Sequence, residues 1–236
     1  DYLVPSCNDF AYVAGNWAAH QLGGFPGWDT LETTLMLHTK HRFRQFCAEH
    51  ALPAPQRHYW GPPPKETSGL RIEYPALVKP VDSFSGRGMT KLSDAGGLVE
   101  ALAAAAAASR SGEVVIESFY EGTLHSHTAF VEDGTLAWDG FVDEFCTVYP
   151  YQVDCSNFPS SLPDAIRARV REAMGRLVRA AGLADGLLHT QIIVSPRRDD
   201  FRIIECMRRG PGDLYGQLIE RATGLPYNDM YVAKFL

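Results

Sequence analysis

Lys79 closes the apolar run Ala76, Leu77 and Val78 and is followed by a loop containing Ser83, Ser85, Gly86, Arg87 and Gly88. Small residues let backbone N–H groups approach an anion closely, and a lysine adds a mobile cation with three donors. The chemistry that this stretch can support is the holding of phosphate. It is neither of the familiar phosphate loops, because no G-x-x-x-x-G-K-[ST] and no G-x-G-x-x-G occurs anywhere in the chain. Taken alone, such a stretch is more often a strand end followed by an ordinary surface hairpin.

Three further pieces stand in a fixed order around it. Lys40 lies upstream with Arg42 and Arg44 and is followed by Leu52-Pro53-Ala54-Pro55. Glu117, Ser118, Phe119 and Tyr120 lie downstream, and Glu205, Cys206, Met207, Arg208 and Arg209 come later still. No G-x-S-x-G and no H-E-x-x-H is present, so nothing in the sequence suggests a serine nucleophile or a zinc peptidase.

Composition narrows the class. A chain of 236 residues, 45% hydrophobic with net charge −6, can bury a core and fill two lobes. Acidic residues number 28 against 22 basic, and no basic run is interleaved with aromatics, which argues against nucleic acid as a partner. No apolar run approaches the roughly 18 residues that a membrane span needs. Five widely spaced cysteines without a C-x-x-C indicate neither a disulfide framework nor a zinc site, and reduced thiols in a cytoplasmic setting are expected.

The elements that must position these residues follow from periodicity and punctuation. Residues 1–5 read as the tail of a strand, 10–22 as a helix, and 30–50 as a helix interrupted near His38. One strand and one helix make no sheet layer, so a segment ahead of residue 1 is expected. The proline-rich run 61–69 reads as a linker. Strands are expected at 71–79, 87–92 and 113–118, with a helix at 94–109 capped by Ser93-Asp94 and built on the alanines 103–108. Strands at 124–131 and 136–148 flank Asp133-Gly134, a hairpin signal. A basic amphipathic helix at 163–183 carries its arginines on a solvated face, a strand pair spans 187–194 and 201–205, and a helix at 212–222 closes the chain.

This succession resembles the ATP-grasp superfamily over residues 7–227, nearest to its carbamoyl-phosphate-synthase-like and amino-acid-ligase-like members. The resemblance implies an α+β fold in which two lobes clasp ATP after the end of an N-terminal α/β pre-domain. The implied boundaries are 1–60 for the pre-domain remnant and connecting helix, 61–118 for the lid lobe, and 119–236 for the larger lobe. It implies ATP and Mg²⁺, a carboxylate activated as an acyl phosphate and joined to an amine, small-molecule substrates and the option of a homodimer. A catalytically impaired ATP-binding module of regulatory or scaffold type is the competing reading.

Roles carry over residue by residue. Lys40 and Lys79 become ATP-binding lysines, although Lys40 also suits a solvated helix face. At about 4 Å and an effective dielectric near 20, each contact with phosphate is worth on the order of 4 kcal/mol before desolvation. Ser83, Ser85, Gly86 and Gly88 would cover the phosphates, with Arg87 either clamping them or pairing elsewhere. Glu117 would accept from the adenine amine, Ser118 offer its carbonyl and Tyr120 its N–H. Leu124 stands where many relatives carry a ribose-binding glutamate, and His125 either takes that role or packs elsewhere. Gln191 and Glu205 occupy the metal positions, Met207 cannot ligate, and Asp213 is a further carboxylate. Arg209 matches the arginine that neutralises the transferring group, and Arg208 either serves a substrate carboxylate or forms a structural salt bridge. Asp139, Asp143, Tyr149 and Tyr151 fall near an expected acceptor pocket.

Overall fold

Helices form the regular structure up to Glu49 in the computed structural model, which describes residues 1–83 and 86–236. They are α1 (Asp9–Leu22), α2 (Leu31–His38) and α3 (Lys40–Glu49). Asn8 caps α1 by accepting from the N–H groups of Phe10 and Ala11. The expected break near His38 is real, because Thr39 takes an extended conformation between α2 and α3. Residues 1–6 form no strand, contrary to expectation.

A smaller sheet follows, built from β1 (Arg57–Gly61), β2 (Ala76–Pro80) and β3 (Thr90–Leu92), then helix α4 (Leu98–Ala108) and β4 (Val114–Ser118). Its strands are antiparallel in the order β1-β4-β2-β3. Pro75 has no N–H to give a ladder, and β2 starts just after it rather than at residue 71. Asp94 accepts from the N–H of Gly96 in a turn, so α4 begins later than expected, at Leu98 with Gly97 as its cap. On one face Ala76, Val78, Val114 and Ile116 pack against Leu98, Ala101, Leu102 and Ala105 of α4. The period of two then directs Leu77, Lys79 and Glu117 to the opposite face, where they line a cavity.

The larger sheet comprises β5 (Thr123–Glu132), β6 (Thr135–Phe145), β7 (Cys155–Asn157), β8 (Gly186–Val194) and β9 (Phe201–Met207), with α5 (Asp164–Ala181) inserted before β8. The antiparallel order is β7-β6-β5-β8-β9. Helix α5 lays Ile166, Val170, Met174, Leu177 and Val178 on one face of this sheet, each fully buried side chain contributing about 1.5–3 kcal/mol. Its arginines face outward, as expected, with Arg171 on Asp139 and Arg169 on Asp200. The other face is covered in part by α6 (Tyr215–Thr223) and α7 (Tyr227–Ala233), through Tyr215, Ile219 and Tyr227 against Phe130, Val142 and Leu187. The rest of that second face is open and forms a cavity wall.

Candidate functional site

A cavity of about 1010 Å³ lies between the two sheets and is walled by α1 and the α2–α3 junction. Lys40, Lys79, Ser83, Gly86, Arg87, Glu117, Ser118, Tyr120, Gln191, Glu205 and Arg209 all line it. Residues separated by up to 169 positions in sequence, Lys40 to Arg209, therefore face one space. Ser85 falls outside the described residues. Gly88 and His125 do not line the cavity.

At the smaller sheet, Glu117 is the centre of a buried charged triad. Its carboxylate accepts from Arg44 Nε at 2.9 Å and Nη2 at 3.4 Å, and also from Lys79 Nζ. Lys79 is 3% exposed, Glu117 1% and Arg44 4%. Burial pulls Lys79 down to about 8, with Glu117 opposing that fall and Arg44 and Lys40 adding to it. In Glu117 the two cations outweigh burial and hold the carboxyl below its usual range. Two cations against one anion leave the triad with one net positive charge. Both carboxylate oxygens are engaged, Oε1 by Lys79 and Arg44 and Oε2 by Arg44 alone, so Oε2 keeps a lone pair that an adenine amine could use.

Arg44 also donates to the carbonyl of Ile204 at 2.6 Å, tying α3 to β9 as well as to β4. Sequence reasoning passed over Arg44 as a helix surface charge. The signal was present: it shares a helix face with Lys40, four residues before it, and with buried Cys47, three after. Lys40 heads α3 and donates to the carbonyl of Ser83. Burial lowers its pKa against the pull of Glu205, Asp9, Glu117 and Asp82, so the solvated-face reading of Lys40 does not hold.

Gly86, beyond β2, approaches the connection between β6 and β7. At Gly86, φ is +70° and a Cβ would lie 2.9 Å from the carbonyl oxygen of Pro150, a close approach that requires glycine. Gly88 instead backs onto α4, where a Cβ would come within 2.5 Å of Ala108 Cβ. Its expected place over phosphates is corrected to a packing role.

At the larger sheet, strand parity decides which residues reach the site. Val142, Ser126, Gln191 and Glu205 are successive cross-strand partners on one row, and Glu144 is one pleat further along β6. Leu124 faces the cavity; His125, one residue on, faces α5. His125 Nδ1 is bonded to Asp143 at 2.8 Å and its Nε2 to Thr123 at 2.7 Å. The ribose role for His125 is thereby corrected, since a one-residue step along a strand reverses the face. We expect His125→Gln to leave ATP affinity within about twofold while costing about 1–3 kcal/mol of stability. Calorimetric titration and denaturant unfolding would check this. By the same parity Asp139 and Asp143 point to the α5 side, on His127 with Arg171 and on His125 with Ser160. Tyr151 lines the cavity, whereas Tyr149 is exposed beyond its edge.

Glu144 and His189 are cavity residues that sequence reasoning did not name. Gln191 Nε2 donates to Glu144 at 2.7 Å, which leaves the amide oxygen of Gln191 as its acceptor. Burial pushes Glu144 up to about 7, reinforced by the negative charges of Asp213 and Glu205. His189 is 3% exposed, edge-on to Tyr215, and burial brings it down to about 3, so it is neutral. Arg209 is paired through Nε and Nη2 with Asp9 at 2.9 and 2.8 Å, and His38 joins the same carboxylate. Arg208 is structural: it bonds Asp29 and the carbonyls of residues 184 and 187 in the interior. Among the described residues no group of three or more His, Cys, Asp or Glu is close enough to hold a metal by itself.

No protein-family model matches the chain. It is 27% identical over 191 residues, 79% of its length, to the carbamoyl phosphate synthase large chain of Methanoculleus marisnigri, and spans 18% of that protein. Among solved structures, an L-amino acid ligase from Bacillus licheniformis superposes with a TM-score of 0.79 at 18% identity, covering 97% of this chain and 54% of the ligase. A D-alanine–D-alanine ligase from Bacillus anthracis complexed with ATP gives 0.72 at 14% identity over 93% of this chain and 72% of that one. The chain thus spans about a fifth of the curated relative and half of the first ligase. Likeness at these identities fixes the fold.

Proposed function

We propose that this chain, which has the ATP-grasp fold, binds ATP between its two sheets and, as part of its protein, activates a carboxylate for joining to an amine. The observation that carries the reading is that Lys40, Lys79, the segment from Glu117 to Tyr120, Glu205 and Arg209 line one cavity. The cavity is at the upper end of the roughly 300–1,000 Å³ usual for small-molecule sites, as a nucleotide with a second substrate requires. Lys40 and the net positive Arg44–Glu117–Lys79 triad mark the phosphate end. Ser118 and Tyr120, on the connection between the sheets, mark the base, with Glu117 and the carbonyl of Ser118 as acceptors for its amine.

Mg²⁺ fits the opposite wall. The ion is commonly held by one or two carboxylates with the remaining positions filled by phosphate and water, so a sparse donor set suffices. Glu205 and the amide oxygen of Gln191, cross-strand neighbours on β9 and β8, would hold it. Bound there, it would neutralise charge on the terminal phosphates.

The chemistry asks for positioning and charge. A carboxylate oxygen attacks the γ-phosphorus, the bond to the bridging oxygen breaks, and ADP leaves with an acyl phosphate behind. A neutral amine then attacks the acyl carbon, forming C–N as C–O breaks; phosphate departs with the electron pair of that bond and takes up the proton lost from nitrogen. Lys79 absorbs charge in the first step, and Ser83, Gly86 and Arg87 at the cavity wall limit water. Arg209, with its charge largely balanced by Asp9, acts mainly as a directional donor.

Glu205→Gln tests the assignment, since it removes the metal-side carboxylate and leaves the base end untouched. We expect substrate-dependent ADP release to fall at least about 100-fold with ADP affinity measured in the absence of Mg²⁺ unchanged. Full turnover would remove Glu205 from the site. ATP binding by the wild-type chain with no ADP release across amino acids and other carboxylates would favour the non-catalytic module.

A further inference from the structure

Glu205 reaches the cavity only because β9 breaks its own alternation. Phe201 and Ile203 lie in the core beside α5, and in a regular strand the residue two further on shares that face. An unbroken β9 would therefore bury the Glu205 carboxylate under α5. Instead Ile204 and Glu205, consecutive residues, both line the cavity. The pairing with β8 shows how: Gln191 is opposite Glu205 and Ile192 is opposite Ile203, so Ile204 is one residue more than β8 can match. It forms a β-bulge, which reverses the facing of the residues beyond it. Cys206 accordingly packs in the core beside α5, with its Sγ 3.4 Å from Thr190 Oγ1, and Met207 lines the cavity.

The extra residue of a bulge has no partner across the ladder, and its backbone must find one elsewhere. Arg44 provides it, donating from Nη2 to the Ile204 carbonyl at 2.6 Å. The same guanidinium donates through Nε to Glu117 of β4 at 2.9 Å, and Glu117 in turn accepts from Lys79 of β2. Arg44 is buried, so little water competes for either contact. Its rigid, planar fork fixes the angle between them, which the freely rotating donors of a lysine ammonium do not. One side chain on α3 thus reaches from the carboxylate that holds Lys79 to the bulge that aims Glu205.

We propose that Arg44 is a positioning residue, which fixes where the Glu205 carboxylate stands relative to Lys79 by holding the Ile204 bulge and Glu117 at once. Arg44 does not itself line the cavity, so it acts through these neighbours. The proposal rests on the metal-side role given to Glu205 and deepens it: the bulge and its arginine make that role available on a strand whose parity would otherwise forbid it.

Two variants of the whole chain test this. Arg44→Met removes both contacts, and its crystal structure without nucleotide reads the geometry. The strand is expected to relax at Ile204 and the Glu205 carboxylate to move by about 1 Å or more relative to Lys79, a shift that matters at a reacting site. An intact bulge with Glu205 in its original place would overturn the proposal. Arg44→Lys keeps a cation beside Glu117 and loses the fork. Calorimetric titration of a non-hydrolysable ATP analogue, with and without Mg²⁺, reads the consequence. The factor by which Mg²⁺ tightens the analogue should fall about tenfold or more, as it does when the supports of metal ligands are changed, while affinity without Mg²⁺ changes far less. That loss should disappear in a Glu205→Gln background, because Arg44 acts through the same carboxylate. A merely structural arginine would weaken the analogue alike with and without Mg²⁺, or add its effect to that of Glu205→Gln, and either result overturns the proposal. Should Arg44→Lys not fold, Arg44→Met carries the same titration. Failure of the parent reading looks different: in the wild type the analogue does not bind, or Mg²⁺ leaves its affinity unchanged, while Glu205 still moves when Arg44 is replaced.

Discussion

Glu117→Gln is expected to destabilise the protein by about 3–5 kcal/mol, far more than either Arg44→Met or Lys79→Met. The reason is charge count. Arg44 and Lys79 share one carboxylate in a space with almost no solvent access. Deleting either cation leaves a neutral pair that still has its partner, and replacing part of a buried ionic group by an apolar side chain of similar size is often tolerated. Deleting the anion leaves two buried cations facing one another. Lys79, already lowered to about 8, would then give up its proton at still lower pH. Denaturant unfolding of the three single variants checks this: the account requires Glu117→Gln to be the least stable by a clear margin, and equal losses in all three would contradict the triad. Adding Lys79→Met to Glu117→Gln should recover part of the loss by removing the repulsion.

The second large effect concerns binding. Lys79→Met should weaken ATP about 10- to 100-fold, the 1.5–3 kcal/mol typical of a hydrogen bond to a charged group, while changing stability by less than about 1 kcal/mol. The lysine is held in an unfavourable place by its neighbours, since burial, Arg44 and Lys40 all work against its charge. An incoming phosphate relieves that, because it supplies the anion the net positive triad lacks. Side by side, the two variants separate the scaffold role of Glu117 from the ligand role of Lys79. A Lys79→Met protein that binds ATP as tightly as the wild type would show that the triad is structural only.

The positions of Lys79, Glu205 and Arg209 were legible because each sits at or just beyond the end of a strand, where punctuation by Pro80 or by Gly210 and Pro211 marks the turn. The α+β class was legible for the same reason: Asp133-Gly134 fixes one hairpin, and the alanine run fixes α4. The side chains that share the cavity were harder to read, because facing depends on parity. Asp139 and Asp143 were picked out over Glu144, yet they differ from it by odd steps along β6, and only a register anchored on Val142 and Ser126 says which set meets the cavity. His125 failed in the same way beside Leu124.

Other parts left no local mark. β1 is short and rich in polar and aromatic residues without alternation, and it forms because β4 offers it an edge. Asp9, which holds Arg209 across some two hundred residues, belongs to a helix whose exposed face looks ordinary in sequence. Contacts of that kind arise from packing, and a single sequence carries no period that announces them.

The account stands on one placement, a triphosphate between the two sheets with its phosphates toward Lys40 and Lys79. A crystal structure of the chain with a non-hydrolysable ATP analogue and Mg²⁺ tests it most directly. The account predicts phosphate oxygens within hydrogen-bond distance of both lysines, the base against Ser118 and Tyr120, and the metal between the phosphates and Glu205. A nucleotide bound elsewhere, or one whose phosphates leave the Lys79–Glu117 contact untouched and reach neither lysine, would contradict it.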